Sequence, residues 1–461
     1  MKKVYVLMAI IILSAVASVA LASGVMSFVP QDTGFVLSFT NNSQNYGALK
    51  KINVFSFLLN DLGIENLIQA SVSQTAVSIG TKSSEVWKMT ENDFVVFGNF
   101  SVQNLQANFA IVLKGKSKIL LDLLSALVGG NTGTKNVNGY EMKTFETNGI
   151  TIYIVDHDNY VLASNSPELL ATSIKTYENN SASFTFPSNV VSDAWFKFYM
   201  KNNEMTKEST LDTIPVDGYG YGEVKDGMLV ITGASDFEYK DKSLKAKLLS
   251  FKPNAKSLED MPATGDFWLG IDVADPVEFY DLVKEYAKDF GLSKEDMSKF
   301  EGRELAQHFN GKVFMNASLA SENTNFVATL YLSKDISEYI PEFSKDASAT
   351  FTWKGHTVLR DDTVEGTKTT HTYTVFYPDK VIISDIAPEE QGTFINSSSS
   401  AKEMGSFSSF ENRLWDKSFL IGYMDVGSLV KSLLQYPLTS GALFQMKFDK
   451  NANLIWQLMI K

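Results

Sequence analysis

The spacing of apolar positions changes period once along residues 151–177, and that change marks the organising stretch of the chain. Two apolar arms, 151–155 and 160–164, are rich in β-branched and aromatic residues. Between them lie Asp156, His157, Asp158 and Asn159. Short Asp and Asn side chains bond the local backbone and tolerate left-handed conformations, so the pattern predicts a hairpin. After Ser166, apolar residues recur at helical spacing, at Leu169, Leu170, Ile174 and Tyr177. Ser166-Pro167-Glu168 opens that helix with a cap, a proline suited to the first helical position and an acidic residue at the positive end of the dipole.

The same sentence is written again at 372–390. Tyr377-Pro378-Asp379-Lys380 replaces the turn, Val381-Ile382-Ile383-Ser384 matches Val161-Leu162-Ala163-Ser164, and Ala387-Pro388-Glu389 keeps the helix start. Other landmarks repeat in order. Pro30-Gln31-Asp32-Thr33-Gly34-Phe35 is echoed by Pro262-Ala263-Thr264-Gly265-Asp266-Phe267, Phe109 by Phe326, and Gly139 by Gly355. Trp195–Met200 is echoed by 419–424, and the hairpin about Asp226-Gly227 by 444–460. A common order with drifting offsets predicts a tandem duplication of one large unit, not a short-period solenoid.

Further elements follow from the same periodicities. Strands are expected at 35–39, 74–79, 93–100, 109–114, 194–200, 218–224 and 228–232, and a strand pair over 235–249 turning at Asp241-Lys242. Helices are expected at 54–59, stopped by Gly63, at 117–128, capped by Ser117, and at 275–290, closed by Gly291. Asn138-Gly139 is a hairpin signal. Residues 202–212 read as a polar loop. The expected fold is α+β: two tandem homologous units, each a mostly antiparallel β-sheet with a few helices packed on one face, after an N-terminal signal helix. The expected boundaries are 1–22 for the signal peptide, 23–251 for the first unit, 252–258 for a linker and 259–461 for the second unit.

The N-terminus carries the processing signal. Lys2 and Lys3 precede an uncharged apolar run, and Ala20-Leu21-Ala22 is a small-x-small site, so cleavage is expected before Ser23. The alternative is an uncleaved anchor, since the apolar run is about as long as a marginal membrane span. The chain is thus expected in the periplasm or outside the cell, or held at the inner membrane if the segment is retained.

Composition narrows the function classes. The 461 residues carry a net charge of −12, which argues against nucleic acid and anionic membrane surfaces as partners. Membrane contact is expected only through an uncleaved N-terminal segment. The chain has no cysteine, which excludes disulfides, thiolate metal sites, a cysteine nucleophile and a lipid-modified cysteine. An exported chain without disulfides relies on cores large enough to stand alone.

Candidate chemistry is sparse. His157, His308, His356 and His371 form no metal motif, and the internal copy of the His157 turn holds no histidine. Asp361, Asp362 and Glu365, like Glu389 and Glu390, read as solvated acidic surface rather than a calcium loop. No nucleophile elbow or phosphate loop is present. No catalytic, cofactor-binding or metal residue is assigned, and no cofactor is expected. The strand aromatics Phe94, Phe97, Phe100, Phe109, Trp195, Phe196, Phe198 and Tyr199 read as sheet core, with an apolar ligand groove as the alternative.

The Pro…Thr-Gly strand entry, the Tyr-Val-Leu-Ala-Ser-Asn-Ser-Pro-Glu-Leu-Leu hairpin-helix, the signal sequence and the duplication together resemble exported bacterial proteins grouped only as a domain of unknown function. That resemblance implies an envelope location and no catalytic residues. The expected function is a non-enzymatic interaction or structural module of the envelope, its partner an unidentified envelope protein. The alternative is a periplasmic carrier of a lipid or other apolar ligand held between sheet and helices.

Overall fold

The computed structural model describes residues 24–461 apart from 91, 102–105, 116, 129, 148, 180–182, 202–212, 240–241, 251, 274, 288–301, 320–324 and 396. The fold mixes helices with a large antiparallel sheet. It divides into two compact units, with Thr213 and Ile214 and residues from Phe237 on in the second and the other described residues in the first. The expected signal segment, with Ala20, Ala22 and Ser23, the loop 202–212, and Phe290 with Gly291 lie outside the described residues.

In the first unit the strands are β1 (Phe35–Phe39), β2 (Phe94–Ser101), β3 (Gln106–Lys114), β4 (Asn131–Val137), β5 (Tyr140–Thr147), β6 (Ile150–His157), β7 (Tyr160–Ser164), β8 (Phe196–Lys201), β9 (Thr213–Lys225) and β10 (Met228–Tyr239). From β9 their spatial order runs β9-β8-β1-β2-β3-β7-β6-β5-β4, antiparallel throughout. β10 pairs with β9.

In the second unit the strands are β11 (Phe267–Asp272), β12 (Phe309–Ser318), β13 (Asn325–Leu332), β14 (Ala349–Trp353), β15 (His356–Glu365), β16 (Lys368–Phe376), β17 (Lys380–Ser384), β18 (Leu420–Met424), β19 (Ala442–Phe448) and β20 (Leu454–Ile460). Their order is β20-β19-β18-β11-β12-β13-β17-β16-β15-β14, again antiparallel.

Strand alternation sends side chains to two faces, and in the first unit both faces are covered. On one face Val36, Phe97, Val112, Met142 and Leu162 pack beneath Phe28 and beneath Leu170 and Ile174 of the helix Pro167–Glu178. On the other, Ile111, Phe145, Ile152, Ile154 and Val161 pack with Leu124, Ile119 and Leu120 of the helix Ser117–Val128. Helices on one face only was therefore the wrong expectation. Residues 109–113 and 161–163 are apolar at every position, which is the signature of a strand buried on both sides. The second unit likewise has a Val327–Val358–Val375–Ile382 layer and an opposite Leu332–Leu359–Phe376–Val381 layer.

The junction from strand to helix is built by side chains. The Ser164 hydroxyl donates to the Phe109 carbonyl (2.5 Å) and accepts from the Ser166 N–H (2.9 Å). Asn165 Oδ1 accepts from the Phe109 N–H (2.9 Å). In the second unit Ser384 Oγ donates to the Phe326 carbonyl (2.7 Å) and accepts from Ile386 N–H (3.0 Å), and Asp385 Oδ1 accepts from Phe326 N–H (2.8 Å).

Three expected elements are corrected. Residues 74–78 belong to the helix Ile64–Ser78, and Ile79 is its C-cap. The β-branched Thr75, Val77 and Ile79 suggested a strand, but Ala76, buried with Val86, seats a helical face. Gly63, at φ 70°, separates this helix from a π-helical turn at Phe57–Asp61. The pair expected over 235–249 is the end of β10 followed by the helix Lys242–Ser250, where Leu, Lys and Ala are good helix formers. The helix Ser117–Val128 is not capped by Ser117, which is its first residue; the cap comes from β6, as the site geometry makes clear.

Candidate functional site

Three clusters of polar or ionisable side chains stand out. The first is the end of the β6–β7 hairpin. The His157 ring meets Phe28 and Tyr177 edge-on, with centroids 6.0 and 5.3 Å away. Phe28, fully buried, stacks on Tyr177 at 4.2 Å. Asp158 takes the left-handed turn position at φ 53°, and its carboxylate accepts from the Tyr177 hydroxyl at 2.8 Å. That bond to a carboxylate pushes the Tyr177 phenol above its ordinary range. Gly24 lies so flat on Tyr160 that a Cβ there would collide with its hydroxyl. The Asp156–Asn159 turn is an aromatic closure of the core with a polar rim. No group of three or more potential metal ligands exists among the described residues.

The second cluster joins a helix to the sheet. Asp156 Oδ1 accepts from the Ser117 N–H at 2.7 Å, and Oδ2 accepts from the Ser117 hydroxyl. Lys143 Nζ donates to Ser117 Oγ at 2.6 Å and lies 3.5 Å from Asp156. Burial works against the Asp156 charge, but the Ser117 and Lys143 hydrogen bonds and the lysine charge hold its carboxyl below the usual range. A serine beside an amine is the bare outline of an activated nucleophile. Here the hydroxyl proton is directed at a carboxylate, and the amine donates to the hydroxyl oxygen rather than accepting its proton. Ser117 is also buried, at 1% exposure. The arrangement caps the helix start, where unpaired N–H groups and the dipole favour an anion.

The third cluster sits on β15 and β16. Arg360 Nη2 donates to Asp362 Oδ2 at 3.1 Å, and Nε lies 2.9 Å from Oδ1, an ion pair out of line for a hydrogen bond. His371 Nδ1 is 2.7 Å from the same oxygen. The His371 hydrogen bond, then Arg360, lowers the Asp362 carboxyl. The Asp362 N–H donates to Ser348 Oγ at 3.0 Å. The acidic run 361–365 is therefore partly paired rather than simply solvated, a pairing invisible in sequence because His371 and Asp362 become neighbours only through strand register.

The remaining histidines are held in packing. His308 lies edge-on to Tyr339 at 5.3 Å and places Nδ1 2.9 Å from the Asp335 carbonyl, and His356 lies 4.2 Å from Tyr377. Phe94 stacks on Phe39, and Phe97 is fully buried, so these two fill core, whereas Phe100, expected in the core, is exposed. No helix among the described residues is long and apolar enough to cross a membrane.

No family model matches the chain, and no curated protein matches it. Two solved structures of TP0453, crystal forms IV and I, align with TM-scores of 0.27 and 0.25 at 12% identity. They cover 46% and 47% of this chain and 79% of their own. A likeness that weak carries no argument about fold or role.

Proposed function

We propose that the chain is an exported, non-enzymatic binding module of the cell envelope, built from two copies of one α+β unit. The observation that carries this reading is the filled space between sheet and helix. Phe28, Phe97, Met142, Leu162, Leu170 and Ile174 occupy it, each fully buried. An apolar ligand carried between sheet and helices would need that volume.

The duplication is supported by the shared strand order and by the repeated junction, in which Ser164 with Asn165 and Ser384 with Asp385 clamp Phe109 and Phe326. The Ser117–Lys143–Asp156 cluster has no counterpart in the second unit, which supports a local helix anchor rather than a catalytic group. Leu162 opposes Val155 as Ile382 opposes Val375, so Asp156 matches Phe376 and Lys143 matches Leu359. Export is supported by the Lys2-Lys3 start, the apolar run and the Ala20-Leu21-Ala22 site.

Native mass spectrometry of protein purified from its own host, without detergent, tests the reading. A bare polypeptide mass beginning at Ser23 is expected. Extra mass that disappears on organic extraction would overturn the module in favour of the carrier, and a chain beginning at Met1 in the membrane fraction would replace export by anchoring.

A further inference from the structure

The end strand of the second unit is open and self-complementary. β14 reads Ala349-Thr350-Phe351-Thr352-Trp353, with no charge, proline or glycine, and it pairs with β15 on one flank. No strand pairs with its other flank among the described residues. Thr350, Phe351 and Thr352 are exposed, Phe351 at 37%. An uncharged edge of high β propensity is a template for another strand.

The hairpin geometry says which groups face outward. Lys354 and Gly355 form a two-residue loop with φ of 49° and 84°, so Trp353 and His356 flank it as a hydrogen-bonded pair. Hydrogen-bonded and non-hydrogen-bonded pairs then alternate. Ala349, Phe351 and Trp353 direct their backbone groups to β15, and Thr350 and Thr352 direct theirs to the open side. The bond from the Asp362 N–H to Ser348 Oγ fits this alternation, because it points from β15 toward the β14 side.

We propose that β14 is a homodimer edge, pairing antiparallel with β14 of a second copy about a two-fold axis at Phe351. This deepens the binding-module reading by naming one partner. The axis sets Thr350 against the partner's Thr352, and Thr352 against the partner's Thr350, so all four outward N–H and C=O pairs are met. Phe351 faces the partner's Phe351 at a non-hydrogen-bonded position, where side chains come closest. On the same sheet face each small Ala349 lies opposite a large Trp353, and no like charges meet along the strand. The first unit's end strand differs. β4 carries Asn131, Gly133, Lys135 and Asn136, and an edge lysine blocks such pairing by its charge. A five-residue edge alone falls below the roughly 1,000 Å² of a stable interface, so the dimer is a weak one that forms with rising concentration.

Sedimentation equilibrium of the full chain over a wide concentration range tests this. The average mass is expected to rise from the monomer value, 51.1 kDa for all 461 residues and smaller for a chain beginning at Ser23, toward twice that value. Phe351→Lys and Phe351→Asp, each with an unchanged circular dichroism spectrum, are each expected to stay monomeric, and an equimolar mixture of the two to regain the dimer. Thr134→Lys on β4 is expected to leave the mass rise intact. A mass fixed at the monomer value, a dimer indifferent to Phe351→Lys, a mixture that stays monomeric, or loss of the dimer in Thr134→Lys would overturn the assignment. A ligand in the native spectrum would defeat the binding-module reading while leaving this result standing, so the two failures are distinguishable.

Discussion

In the first unit Ser117, Lys143 and Asp156 tie a helix to the sheet. At the matching register of the second unit stand Leu359 and Phe376, both buried, in an apolar layer with Ile336, Tyr339 and Phe343. The converse holds for Arg360, Asp362 and His371, whose matching positions are Thr144, Glu146 and Thr151. The strand order and the Ser164 and Ser384 junctions are common, and the Ser117–Lys143–Asp156 and Arg360–Asp362–His371 clusters are not. Each cluster solves a local problem: one satisfies a helix start, the other neutralises charges on neighbouring strands. The difference teaches that alternation and turn residues set the architecture, and the helix anchors are interchangeable within it.

The largest test of that contrast lies in the common part. Leu162→Ala and Ile382→Ala remove fully buried side chains at matching positions, and each is expected to cost about 2–5 kcal/mol, set by how far the cavity collapses. Calorimetric unfolding measures both, and a negligible loss in either would break the equivalence of the two sheets.

A smaller effect of opposite sign is expected at the helix starts. Ser166 Oγ accepts from the Leu169 N–H at 3.3 Å, whereas the helix Pro388–Ile395 follows Ala387, which has no side-chain acceptor. Ser166→Ala is expected to destabilise by about 1 kcal/mol, and Ala387→Ser to stabilise by up to about that much. Thermal melts of the two variants shifting in the same direction would count against the contrast.

The smallest effect depends on pH. The Asp156 carboxyl is lowered in the folded chain, so its stabilisation is present above the ordinary carboxylate range and is lost as pH falls through the lowered value. Asp156→Asn is expected to be less stable than the parent at neutral pH, with the gap closing as pH falls below the ordinary carboxylate range. Urea midpoints at both pH values check this, and a gap constant with pH would show that the charge does not matter.

Much of the architecture was legible because its signals are local. The β6–β7 hairpin, the Asn138-Gly139 and Asp226-Gly227 turns, and the Ser166 cap all depend on residues a few positions apart. What sequence did not reveal depends on partners brought in from afar. The Ile64–Ser78 helix shows this, with Ala76 packed against Val86 of another helix. The Asp156 cap reaches a helix start 39 positions upstream, and no periodicity within the helix records it. The covering of both sheet faces was written in the apolar runs at 109–113 and 161–163, but a short apolar run reads equally as one-sided packing until its neighbours are known.

The position of β1 also bears on time. It lies between β2 and β8, and the Thr40 hydroxyl reaches the Ala194 carbonyl across 154 positions of chain. Contacts so distant in sequence are closed late, because the entropy of the intervening loop is lost before the contact returns anything. A growing or threading chain therefore holds β1 with one flank open until β8 emerges. A chain cut before Phe196 would keep that flank of β1 open, with its backbone groups unpaired and exposed to proteases.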